Sequence, residues 1–86
     1  MKTAAQYASA EERARFRRMP APDQDLFRQF RQNASWYHYW GKMNQKRVSE
    51  AWRRKALQAA RGLVTRGYGA LVRQEWREMF KTELPV

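Results

Sequence analysis

The chain has no cysteine, one histidine, three prolines and four glycines in 86 residues. Without cysteine there is no disulfide scaffold, no CxxC redox pair and no thiolate zinc site. With His38 as the sole imidazole, most other metal sites are excluded too. No apolar run approaches the roughly 18 residues that a membrane-spanning helix requires. Acids are scarce: 8 Asp and Glu stand against 18 Lys and Arg, a formal net charge of +10. Catalytic signatures are also missing, namely an HExxH run, a Gly-rich phosphate loop, a nucleophile–base pair and a carboxylate cluster. A non-enzymatic role without a cofactor of its own is therefore expected. Nowhere do polar and apolar residues alternate with period two, so no strand is predicted.

What is present is charge and aromatic area. The window from Leu26 to Gln74 holds eleven basic residues and one acid, Glu50, while the two flanks cancel. Ten uncompensated charges in so small a chain repel one another. They point to an anionic partner: nucleic acid, an anionic membrane surface or an acidic protein. Aromatic residues make up 14% of the chain. Trp36, Tyr37, Tyr39 and Trp40 crowd around His38. Basic residues interleaved with Trp and Tyr are the general pattern of a nucleic-acid binder, with Lys46, Arg47, Arg53, Arg54 and Lys55 available for phosphates. No helix-turn-helix spacing, zinc finger or aromatic strand motif accompanies them. The aromatic and basic positions do not separate into the two faces of a membrane-surface helix.

The pattern along the chain is helical. Ser9 followed by Glu12 is a capping box and starts a short helix near Ala10, which Met19-Pro20-Ala21-Pro22 ends. Asp23 is a suitable N-cap for a second helix carrying Leu26, Phe27 and Phe30. Asn33-Ala34-Ser35 is a turn signal, with Ser35 able to cap the next helix. Val48, Trp52, Ala56, Ala59 and Leu63 recur at helical spacing. A break is expected at Gly67 to Gly69 or just before Leu57. Tyr68, Leu71, Val72, Trp76, Met79 and Phe80 then form a last amphipathic helix, stopped by Leu84-Pro85. Asp23 and Asp25 are read as helix-start carboxylates, which suit the dipole there. The expected architecture is all-α: an arm over residues 1–22 with a short helix, then an antiparallel three-helix bundle over residues 23–84. A chain of this length buries only about 60% of its unfolded surface, so its core is marginal and a partner is expected to complete it.

Three blocks, in order, carry a family resemblance. Leu26-Phe27-Arg28 resembles the Leu-Tyr-Arg signature near the start of the first helix in the LYR-motif family, with Phe27 in the place of the tyrosine. Lys46-Arg47-Val48-Ser49-Glu50-Ala51-Trp52-Arg53 resembles that family's basic second helix. Leu63-Val64-Thr65-Arg66-Gly67-Tyr68-Gly69-Ala70-Leu71-Val72-Arg73-Gln74 resembles its third. The stretch between Trp52 and Leu63 is short, so the second and third helices are either separate or fused into one ending near Gly67.

The resemblance implies a small mitochondrial accessory subunit or assembly factor, most like those of respiratory complex I. It implies an acidic acyl carrier protein as partner, with respiratory-complex subunits around it. It also implies an acyl-phosphopantetheine arm brought by that partner. On this reading Phe27, Arg28, Arg31, Lys46, Arg47, Arg53 and Arg54 meet the acidic partner. Leu26, Phe30, Val48, Trp52, Leu63 and Leu71 form the core or line the acyl chain, with Trp52 turned inward against Leu26 or Phe30. Trp36, Tyr37, Tyr39, Trp40, Trp76 and Phe80 are docking aromatics. The location is the mitochondrial matrix side. The Ala- and Arg-rich N-terminus is read as uncleaved, because Glu11 and Glu12 are atypical of a presequence. A small basic helical protein that binds nucleic acid or ribosomes is the alternative.

Overall fold

A computed structural model describes residues 9–85. They form four helices: α1 (Ala10–Arg17), α2 (Ala21–Lys42), α3 (Lys46–Thr65) and α4 (Gly69–Phe80). No strand occurs among the described residues. The expected Ser9 cap is present, its hydroxyl accepting the Glu12 N–H at 3.1 Å. The prolines act as read: α1 stops ahead of them, and α2 begins with Pro22 in its first turn, where a missing N–H costs nothing.

The turn expected at residues 33–35 is absent. Ala34 is fully buried, and the Ser35 hydroxyl donates back to the Arg31 carbonyl at 3.0 Å. Phe27, Phe30, Ala34 and Tyr37 keep one helical stripe on the core, so packing overrides the weak local signal. The helix ends instead at Met43-Asn44, with Asn44 in the left-handed region at φ 59°. Asn is among the few residues that tolerate this conformation. No break precedes Leu57; α3 is continuous, and the chain turns at Gly67, φ 95°.

The register of α2 on α3 is antiparallel and easily followed. The Ser49 hydroxyl donates to the Tyr37 carbonyl at 2.9 Å, Trp36 stacks on Trp52 at 5.9 Å, Leu26 packs against Gly62, and Asp23 pairs with Arg66. A Cβ on Gly62 would lie 3.0 Å from a Leu26 methyl, so glycine there lets the helices close up. On one face of this hairpin lies α4: Trp76 stacks against Phe30 and Phe80, and Phe80 meets Tyr37. Short α1 lies beside the α3–α4 turn. Phe16 meets Phe27 edge-on, Arg15 donates to the Gly67 carbonyl, and a Glu12 carboxylate oxygen accepts the Leu71 N–H at 3.3 Å. Leu71 is in the first turn of α4, whose own N-cap, Tyr68, offers no side-chain acceptor. One of the orphan donors of α4 is thus satisfied from α1 rather than locally.

Candidate partner-docking surface

Among the described residues, six ion pairs occupy six of the eight Asp and Glu side chains: Arg15–Glu11, Arg28–Asp25, Arg31–Glu75, Arg53–Glu50, Arg66–Asp23 and Arg77–Glu83. The excess positive charge is therefore carried by the cations left over. Among the described residues, three of these form a row on α3. Arg47, Arg54 and Arg61 are exposed, are seven residues apart, and make no ion pair with a described residue. At about 100° and 1.5 Å per residue they fall within about 40° of one another and roughly 10.5 Å apart along the helix. Sequence reasoning singled out Arg47 and Arg54 but missed Arg61. The seven-residue spacing was the signal that would have found it.

Lys46 and Arg47 also occupy the first turn of α3, which contains no acid. Cations at that positive helix end are disfavoured by about 0.3–1 kcal/mol each when exposed. An anion seated there would gain from the side chains and from the helix dipole together.

Other members of the expected partner-binding set are internally committed. Phe27 is buried, 3% exposed, held between Phe16 and Tyr68, and so is a core residue rather than a contact for a partner. Arg31 reaches across to Glu75 and lies over Phe27, while Arg53 bonds Glu50 and lies over Trp76. Arg28 is exposed but tied to Asp25 within the same helix.

The aromatics divide in two, differently from the expectation. Trp76 and Phe80, expected as docking surface, are core, because α4 turns them toward Phe30 and Tyr37. Tyr37 is half-buried against Phe80. Trp52, expected in the core, is half-buried on the surface, and Val48 is exposed. The register explains both: Gly62 faces Leu26, and Trp52 lies ten residues, about 15 Å, back along α3, where it meets Trp36 instead. Phe30 and Leu63 are core as expected, whereas Leu26 and Leu71 are half-buried.

The result is an aromatic cluster near the α2–α3 turn. Trp36 stacks on both Trp40 and Trp52, Tyr39 meets Trp36 and Trp40 edge-on, and the Lys55 ammonium lies 4.3 Å from the Trp52 ring centre.

The most constrained polar group joins the start of α2 to the α3–α4 turn. Asp23 does not cap α2; its carboxylate accepts the buried Tyr68 hydroxyl at 2.7 Å and pairs with Arg66. The Tyr68 hydrogen bond, then the Arg66 guanidinium, hold the Asp23 carboxyl below the usual carboxylate range. Burial, then the hydrogen bond to Asp23, push Tyr68 up to about 12. Both Asp23 carboxylate oxygens and the Tyr68 hydroxyl are occupied by their neighbours, so the cluster serves as a clasp. No group of three or more potential metal ligands occurs among the described residues, and none of their helices is long and apolar enough to cross a membrane. In comparisons with known proteins, no family model, no curated protein and no solved structure matches this chain.

Proposed function

We propose that the protein is a non-catalytic docking module, an antiparallel three-helix bundle with a short extra helix, that binds an acidic protein partner. The carrying observation is the row Arg47, Arg54 and Arg61, which pair with no described carboxylate while other cations take six of the eight acids, and which Lys46 extends at the positive end of α3. A row repeating every seven residues matches the repeat along one face of a partner helix. Opposed charge across such an interface steers encounter and fixes orientation. The three LYR-like blocks give the proposal its specific form: a mitochondrial accessory subunit or assembly factor of a respiratory complex, complex I first, docking an acyl carrier protein. The interior that an acyl chain would enter is filled by Trp76, Tyr68 and Phe30. Charge, rather than the acyl arm, is therefore what supports this reading.

Two observations weigh against the nucleic-acid alternative. Trp36 is already stacked on Trp40 and Trp52, and Lys55 covers Trp52, so bases would find few free ring faces. The test is a titration with purified acyl carrier protein, and with duplex DNA and single-stranded RNA at two salt concentrations. Saturable binding of the carrier protein, weakened at least tenfold when Arg47, Arg54 and Arg61 are changed to Glu, supports the proposal. Sub-micromolar, sequence-tolerant nucleic-acid binding at physiological salt overturns it.

A further inference from the structure

Both α1 and α4 pack on one side of the α2–α3 hairpin; the opposite side has no helix on it among the described residues. There Trp36 and Val48 are each 38% exposed, and Met43 at the turn is 54% exposed. At about 100° per residue, the strip of α3 between the arginine row and Trp52 consists of Ala51, Lys55, Gln58 and Gly62. Ala51 is exposed and gives little side-chain height, so a partner can approach α3 closely there, while Gly62 at the far end of the strip is covered by Leu26. The strip has a cationic rail on one flank, Arg47, Arg54 and Arg61, and on the other the exposed Val48 and half-buried Trp52, beyond which Ala59 belongs to the core.

We infer that this strip is the seat of one acidic amphipathic helix of a partner protein. That helix lies along α3, its apolar face on Val48, Trp52 and Ala51 and its carboxylates on Arg47, Arg54 and Arg61. The inference rests on the acidic-protein reading above and adds which secondary structure binds and where. The row from Arg47 to Arg61 spans about 21 Å, so the bound segment is about 14 residues, or four turns. A second copy of this chain is a poor occupant, since it would set one +10 protein against another. Lys55, in the middle of the strip, lies over Trp52 and adds a further cation facing whatever covers it.

The probe is a synthetic peptide of about 18 residues, with leucines on one face and glutamates repeating every seventh position beside it. A control peptide has the same composition with the glutamates distributed around the helix. Binding to the full chain is followed by calorimetry and by the emission of Trp36, Trp40 and Trp52. The expected result is at least tenfold tighter binding of the amphipathic peptide than of the control, with a shift in tryptophan emission. Ala51→Arg, at an exposed position on α3, should abolish binding while helicity and melting are kept. Equal binding of the two peptides would mean that charge alone is read, and would overturn the inference. So would an Ala51→Arg variant that binds normally. If the peptide fails while an acidic protein still binds in an Arg54-dependent manner, the helix seat is wrong and the acidic-protein reading survives. If a single-stranded oligonucleotide binds more tightly than either peptide and quenches the same emission, both fall.

Discussion

The two tryptophans that sequence reasoning placed the other way round give a direct test of the fold. Trp76 is fully buried, with Phe80 at 4.0 Å between ring centres, Phe30 parallel to it and Arg53 over it. Truncating such a residue to Ala costs about 3–5 kcal/mol, and a domain of this size holds roughly 3–5 kcal/mol in total. Trp76→Ala is therefore expected to leave the chain mostly unfolded in water. Trp52 is half-buried and contributes one stacked pair with Trp36, about 0.5–1.5 kcal/mol, and one exposed cation–π contact with Lys55, about 0.5–1 kcal/mol. Trp52→Ala should cost about 1–2.5 kcal/mol by that sum and keep a cooperative transition.

A third variant isolates the reason. The Trp76 indole N–H has no acceptor within the described structure, and a buried unpaired donor costs about 1–3 kcal/mol. Trp76→Phe removes that donor along with part of the ring, so the two effects oppose and the net change should lie within about 1 kcal/mol. The assay is urea unfolding followed by far-UV circular dichroism. A Trp52→Ala variant as damaged as Trp76→Ala would refute the register of α2 on α3. A Trp76→Phe variant as damaged as Trp76→Ala would refute the account of the indole donor.

The clasp at Asp23 should be visible at both ends of the pH range. Its folded-state carboxyl is lowered, so its stabilisation is complete above the ordinary carboxylate range and is lost as acid protonates the folded form; Asp23→Asn should remove that part of the acid unfolding profile. Tyr68 is raised to about 12, so its contribution holds below about 10 and is lost between about 10 and 12; tyrosinate absorbance should show a late component that Tyr68→Phe removes. Gly67 has φ 95°, and a Cβ there would lie 2.5 Å from the Arg15 guanidinium. Gly67→Ala should therefore cost of the order of 1–3 kcal/mol in thermal or urea unfolding, and more than Gly41→Ala. Glu12→Ala should cost about 0.5–2 kcal/mol, the range for losing a helix cap, with amide exchange accelerating first in the opening turn of α4 and in α1.

Helix existence was legible wherever apolar spacing and punctuation agreed. The prolines at 20 and 22 and the glycine at 67 mark real ends, and α3 and α4 follow their stripes. Residues 33–35 misled because Asn and Ser favour turns only when nothing else holds them, and here Ala34 sits in the core. Asp23 looked like a cap because its neighbours in sequence suggest one; its actual partners lie 43 and 45 residues away. The central charge excess was readable, but not which cations were spent. Arg31 and Arg53 could be removed from the candidate surface only after Glu75 and Glu50 were seen beside them. Trp52 and Trp76 could not be told apart by spacing, since both continue an apolar stripe, and only the pairing of helices assigns one to the surface.

Because the carboxylate that completes the start of α4 stands 59 residues earlier in the chain, the two ends of the described fold mature together. During synthesis α1 emerges ahead of the other three helices and finds none of its partners: Phe27, Gly67 and Leu71 have not yet been made. The α2–α3 hairpin, closed over residues 43–45, forms from near neighbours and is the natural early folding unit. Its α4-facing side, with Phe30 and Ala34, stays wet until α4 arrives. Only then can Glu12 and Arg15 fasten, so the first of the four helices to leave the ribosome is the last to dock. A nascent chain stalled before Gly67 would offer two apolar faces instead of one, the period in which a chaperone or an assembly partner has most to gain by holding it.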